Sequence, residues 1–82
     1  MDKVTFADGT EADCSKFLFL PDMRVMFVYL DNANWQNAID IFSDPEKTKA
    51  ISYGNVTITG YTNIDYIMPE AGGMKACLSP AR

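Results

Sequence analysis

The sequence predicts an α+β domain: an antiparallel sheet of about six to seven strands in the order βββ-α-ββββ. One main helix packs on one face, and the sheet has scope to close partly into a roll. Three observations predict it. Short apolar or alternating runs recur along the 82 residues, separated by the turn signals Asp8-Gly9, Pro21-Asp22 and Gly54-Asn55. Only the segment 35–42 carries apolar residues at helical spacing. The apolar fraction is 48% against 22% charged, enough for one small folded domain spanning residues 1–82 and too much for a disordered segment.

The first strand is read at 3–6, with Val4 and Phe6 on one face. Asp8-Gly9 predicts a hairpin turn with φ > 0 at both residues. In the second strand, from Glu11 on, Ala12 and Cys14 alternate with Glu11, Asp13 and Ser15, so one face is polar. Phe17-Leu18-Phe19-Leu20 is apolar on both faces. Pro21-Asp22 turns the chain, because proline presets φ and aspartate suits the next position. The segment 23–30 is the third strand, with Val25, Phe27 and Tyr29 on one side and Met26, Val28 and Leu30 on the other. A strand apolar on both sides is central, or lends one face to a partner.

The helix is expected to start at a cap on Asp31 or Asn32. Trp35, Ala38, Ile39 and Phe42 form its inward stripe, Ile41 lies at its rim, and Trp35 anchors the first turn to the sheet. Ser43-Asp44-Pro45-Glu46 reads as a capping box, Ser43 at the cap and Glu46 three residues on, opening a helical turn through Lys49. Gly54-Asn55 is a two-residue hairpin turn between 50–53 and 56–59. Gly60 marks a bulge or corner. The segment 61–68 is a strand with Ile64, Tyr66 and Met68 on one side, 69–73 is a loop, and 74–78 is the last strand.

Composition excludes much chemistry. The chain has no histidine, so a Ser-His-Asp or Cys-His unit cannot be built from it. Seven Lys and Arg against eleven Asp and Glu give a net charge of −4, and the basic residues are scattered, which predicts no nucleic-acid binding. Two distant cysteines, Cys14 and Cys77, do not make a zinc site and are expected to be reduced. The opening residues predict no signal peptide. The longest apolar run, 25–30, is far short of a membrane span, so no membrane association is expected. The Asn55-Val56-Thr57 sequon is then a chance match.

Nothing in the motifs points to catalysis. Gly72-Gly73 lacks the context of a phosphate loop and reads as a turn. Asp40 and Asp44 are expected on solvated surface. Tyr29, Tyr53, Tyr61 and Tyr66, without a basic groove, read as core and interface residues. The expectation is a non-enzyme with no cofactor, no metal and no small-molecule substrate.

The segment VTFADGT resembles the opening "I-x-F-x-DGT" of small uncharacterised proteins encoded by phages and prophages of Gram-positive bacteria. IDIFSDPEKTKAI is similar to their "I-F-S-D-P-E-x-T-x-x-I", and GYTNIDYI with MKACLS to their "GYT-x-L-x-x-I … V-x-V-x-L". The departure is Met74-Lys75-Ala76-Cys77 in place of a valine-rich last strand. Such genes often lie near tail or baseplate genes, so the resemblance implies a tail-associated structural or assembly role by protein–protein contact. It implies no site residues. The expected location is the cytoplasm of the producing cell, or the virion. A rival reading, from the acidic charge, is a small inhibitor or decoy that binds a host enzyme.

The expected contact surface is Phe17, Phe19, Val25, Phe27 and Tyr29. Partners are a second copy of the chain, as a homodimer or ring joined through the sheet, or other phage proteins. Self-association would fail if the strands after Gly60 folded over that face.

Overall fold

A computed structural model of the chain describes residues 2–81. The element order is β1 (Lys3–Phe6), β2 (Glu11–Leu20), a 3-10 turn (Pro21–Met23), β3 (Val25–Asp31), α1 (Trp35–Phe42), α2 (Pro45–Thr48), β4 (Ala50–Tyr53), β5 (Val56–Thr59), β6 (Asn63–Glu70) and β7 (Gly73–Ser79). All seven strands form one antiparallel sheet in the order β5-β4-β1-β2-β3-β7-β6. The fold is therefore α+β with three strands, the helices, then four strands.

β5 and β6 are consecutive in sequence yet occupy opposite ends of the sheet. The link 60–62 is three residues long, and four extended steps from Thr59 to Asn63 span at most about 14 Å. The sheet must therefore curl until its two edges approach. They do not pair, and the roll stays open. At the seam Gly60 forms the expected corner: its N–H donates to Lys49 O and its O accepts from Ala81 N.

The ten-residue β2 makes the curl possible. Its first half pairs with β1 and its second half with β3. Between Cys14 and Lys16 the register shifts by a bulge, which bends the strand and changes which residues face inward. The curl encloses a single core: Val4 and Phe6 of β1, Ile51 and Ile58 of β4 and β5, Met26, Val28 and Leu30 of β3, Met74, Ala76 and Leu78 of β7. The last strand, without its valines, is among the best buried of the sheet.

α1 adds Ala38 and Phe42 to this core, with the Phe42 ring edge-on to Phe6 at 5.9 Å. Trp35 is not an anchor; it is 53% exposed. The inward stripe is Ala38, Ile41 and Phe42. At 100° per residue its centre lies about 65° from Trp35 and about 105° from Ile39, so both fall off the buried side. The helix also starts later than expected. Asp31 remains in β3 and Asn32 turns the chain at φ 52°, leaving Asn34 as the cap. Asn34 and Asn37 cap reciprocally: each backbone N–H donates to the other's side-chain oxygen, at 2.8 and 2.9 Å.

Four further expectations are corrected. Ser43 does not cap α2. Its hydroxyl donates to Ile39 O, and Asp44, one residue later, accepts from Glu46 N. In the first hairpin only Gly9 has positive φ, because the loop has three residues, a tight turn closed by one left-handed glycine. A second bulge, between Ile64 and Tyr66, puts Ile64 on the core side and Tyr66 with Met68 on the outer side. The expected loop at 69–73 shrinks to the turn Ala71-Gly72, since Pro69 and Glu70 pair with Met74 and Gly73.

Candidate functional site

The curl gives the sheet an outer surface with two unlike halves. On β1, β4 and β5 the outward residues are polar: Lys3, Thr5, Ser52 and Thr57, the last two joined by a hydroxyl–hydroxyl bond of 2.9 Å. On the second half of β2 and on β3, β7 and β6, strand register assembles an apolar grid. One row across the strands is Lys16, Tyr29, Lys75 and Met68. The next is Leu18, Phe27, Cys77 and Tyr66, and Leu20 and Val25 begin a third. Leu18, Leu20, Tyr66 and Met68 are exposed, as is Met23 at the hairpin tip. Neither helix lies over this face, because α1 joins the core on the other side.

Two lysines lie against the rings. Lys75 Nζ stands 4.9 Å from the Phe27 centroid, 5.5 Å from Tyr29 and 5.9 Å from Tyr66, and Lys16 Nζ stands 5.0 Å from Tyr29. An ammonium above a ring face is attracted by the ring quadrupole. Burial by the rings opposes the charge on Lys75, but the Tyr29 and Tyr66 oxygens outweigh it, and its pKa stands above the ordinary lysine value. At the lower edge Asp65 accepts from Asn63 Nδ2 at 2.9 Å and from Ser79 Oγ at 3.0 Å, so this carboxylate is engaged. At the upper edge Asp31 accepts from Ser15 Oγ at 2.8 Å.

The five expected interface residues split between the two sides of the sheet. Val25, Phe27 and Tyr29 lie on the outer face. Phe17 and Phe19 lie on the core side, opposite Val28 and Met26. There Phe17 stacks on Tyr53 at 5.2 Å and 4°, and Phe19 meets Tyr61 edge-on at 5.3 Å. The segment after Gly60 thus covers Phe19 but leaves the outer face open. The bulge is the cause: it advances β2 by one residue, so Leu18 and Leu20 become the outward members. Lys16, Leu18, Leu20, Lys75 and Met68 lie outside the expected contact surface, and Tyr66, read from the sequence as a core or interface residue, joins them on the outer face. The strand alternation around Met68 and Lys75 was a usable signal; the bulges were not.

The remaining polar groups serve the fold. Asp40 accepts from Gln36 Nε2 at 2.7 Å, and Asp44 caps α2 and pairs with Lys47, so the two carboxylates do not converge. Lys47 also bonds Asp8 at 2.8 Å, tying the first hairpin to α2. An open groove is lined by Asp2, Lys3, Tyr53 and Gly54, and in its wall the Tyr53 hydroxyl donates to Asp2 at 2.7 Å. That bond and burial push the Tyr53 pKa up to about 12.

Cys14 and Cys77 are buried free thiols. They lie on opposite faces and on strands separated by β3, about 9.6 Å apart at the usual strand spacing, too far to be bridged. Among the described residues no group of three or more His, Cys, Asp or Glu is placed to hold a metal ion, and no helix is long and apolar enough to cross a membrane. Comparison with protein-family models, with curated proteins and with solved structures found no match.

Proposed function

We propose that this protein works by protein–protein contact, without catalysis, as a component of a phage or prophage tail or of its assembly. The contact surface is the outer face of β2, β3, β7 and β6. One observation carries the reading: the same curled sheet is polar outside on one half and apolar outside on the other. Isolated exposed apolar side chains are ordinary on protein surfaces. Here strand register places them side by side over four strands, an area about 14 Å across and as long. The largest contiguous apolar patch on a protein surface, typically a few hundred Å², is often functional. Support for the tail setting comes from the sequence resemblance of VTFADGT, IFSDPEKTKAI and GYTNIDYI.

A photo-crosslinking amino acid at Leu18, in cells carrying the gene in its own context, tests the contact. The expected result is one discrete adduct that the same probe at Thr57, on the polar half, does not form. Equal adduct patterns from both positions, or none from Leu18, would refute the reading. The tail setting is tested separately by the neighbouring genes: tail or baseplate genes support it, and early or anti-defence genes favour an inhibitor.

A further inference from the structure

We infer that the outer face docks an acidic, apolar polypeptide segment of another protein, with carboxylates seated on Lys16 and Lys75 and apolar side chains on Leu18, Leu20, Phe27 and Tyr66. The inference rests on reading this face as a contact surface and adds the chemistry of the occupant.

The first support is the distribution of charge. Lys3, Lys47 and Lys49 each hold a carboxylate, at 2.8, 2.8 and 3.1 Å, and all serve the β1 and α2 side of the molecule. Among the described residues Lys16, Arg24 and Lys75 have no carboxylate within ion-pair distance. Lys16 and Lys75 stand on the outer face, and Arg24 ends the β2–β3 hairpin at its border. Among the described residues of a chain with net charge −4, two of the three uncommitted cations therefore stand on the apolar face and the third at its border. Of the rim carboxylates, Asp31 and Asp65 accept from Ser15, Asn63 and Ser79, while Glu70, level with Asp31 and one row from Lys75, has no hydrogen-bond or ion-pair partner among the described residues.

The second support is the cost of other occupants. A covered lysine without a carboxylate loses its hydration, and the attraction of the rings beneath it, already present in the free protein, does not grow to replace it. A second copy stacked on this face would bring two more such lysines. A face about 14 Å across and as long also offers only roughly 200 Å² per copy, against about 800 Å² in a standard interface. A carboxylate-bearing segment offsets the desolvation at both lysines, and the rings beneath hold the ammonium groups in place for it.

The test is selection from a displayed random library of peptides about twelve residues long against the full-length protein, followed by titration of the enriched peptides. Enriched peptides should be net acidic and carry large apolar residues. Lys16→Gln with Lys75→Gln should weaken them about tenfold, and raising salt from about 50 to about 300 mM should weaken them further. Lys3→Gln with Lys49→Gln should leave binding unchanged. Both double variants are checked for an unchanged urea midpoint. Peptides that are neutral or basic, or indifferent to Lys16 and Lys75 but lost on Leu18→Asn, overturn the acidic occupant and leave the contact surface standing. No enriched peptide, or binding that ignores Leu18→Asn as well, overturns both. A dimer in sedimentation that Leu18→Asn dissolves assigns the face to a second copy and overturns the inference.

Discussion

Replacing Gly73 with alanine probes a close backbone approach between β3 and β7. Gly73 pairs with Asp31 of β3 and Glu70 of β6, and its φ is not positive, so alanine can adopt its conformation. The obstacle is space. An added Cβ would stand 1.9 Å from Leu30 O, 2.9 Å from Leu30 C and 3.2 Å from Asp31 Cα, all main-chain atoms that no rotamer change can move. An unstrained carbon–oxygen contact needs about 3.3 Å, so the strands must part by about 1.4 Å. That displacement breaks the 3.1 Å bond from Asn32 N to Gly72 O and strains the last ladder bonds of β3 and β7. Losing one or two such bonds costs about 0.5–1.5 kcal/mol each, and overpacking adds about 1–3 kcal/mol. Alanine returns about 0.4–1 kcal/mol through the unfolded chain. The net loss is about 2–4 kcal/mol, a large part of the roughly 4–12 kcal/mol a domain of this size holds. Gly54→Ala is the control: φ is +60°, nothing lies within 4 Å, and only the left-handed conformation costs, about 1 kcal/mol net. Urea unfolding followed by far-UV circular dichroism measures both. A Gly73→Ala loss equal to or smaller than that of Gly54→Ala would refute the steric argument.

Trp35 should emit close to tryptophan in water and shift little on unfolding, and Trp35→Ala should change stability by less than about 1 kcal/mol, whereas Phe42→Ala should cost about 3–5 kcal/mol. A strongly blue-shifted native spectrum would mean that α1 is rotated. The hydrogen bond from Lys47, with those from Thr10, holds the Asp8 carboxyl well below the usual carboxylate range. A depressed folded pKa contributes stability above the ordinary value, lost as pH falls below about 4. Asp8→Asn should therefore flatten the acid limb of a stability–pH curve, and an unchanged limb would count against the ion pair. Burial pushes the Cys14 thiol up, and burial with the Asp65 carboxylate does the same for Cys77. Both should react slowly with a thiol reagent at about pH 8 in the folded state and fast after unfolding, and stability should fall as pH rises past the ordinary thiol value. Two fast native thiols would contradict the burial.

Local signals settled the elements. Val4 and Phe6, the Met26-Val28-Leu30 alternation and the Ala38–Phe42 spacing each follow from the period of a strand or helix, which the chain carries in itself. Gly9, Gly54 and Gly60 mark turns, because only local sterics are involved there. The same is not true of Ser15 and Asp65. A bulge is stabilised by the strands on either side, and nothing within 11–20 says that β2 must bend to pair with β1 at one end and β3 at the other. That bend sends Phe17 and Phe19 inward to Tyr53 and Tyr61 and brings Leu18 and Leu20 outward beside Phe27. The placement of Lys16 and Lys75 over the same rings depends on that register too. The sequence by itself determined an apolar, acidic, antiparallel α+β chain with one amphipathic helix, since these depend on composition and on neighbours a few residues apart. Only the tertiary structure decided which face of the sheet is core and which is open, because a shift of one residue in a strand exchanges its two faces, and that shift is set by contacts with strands far away in sequence.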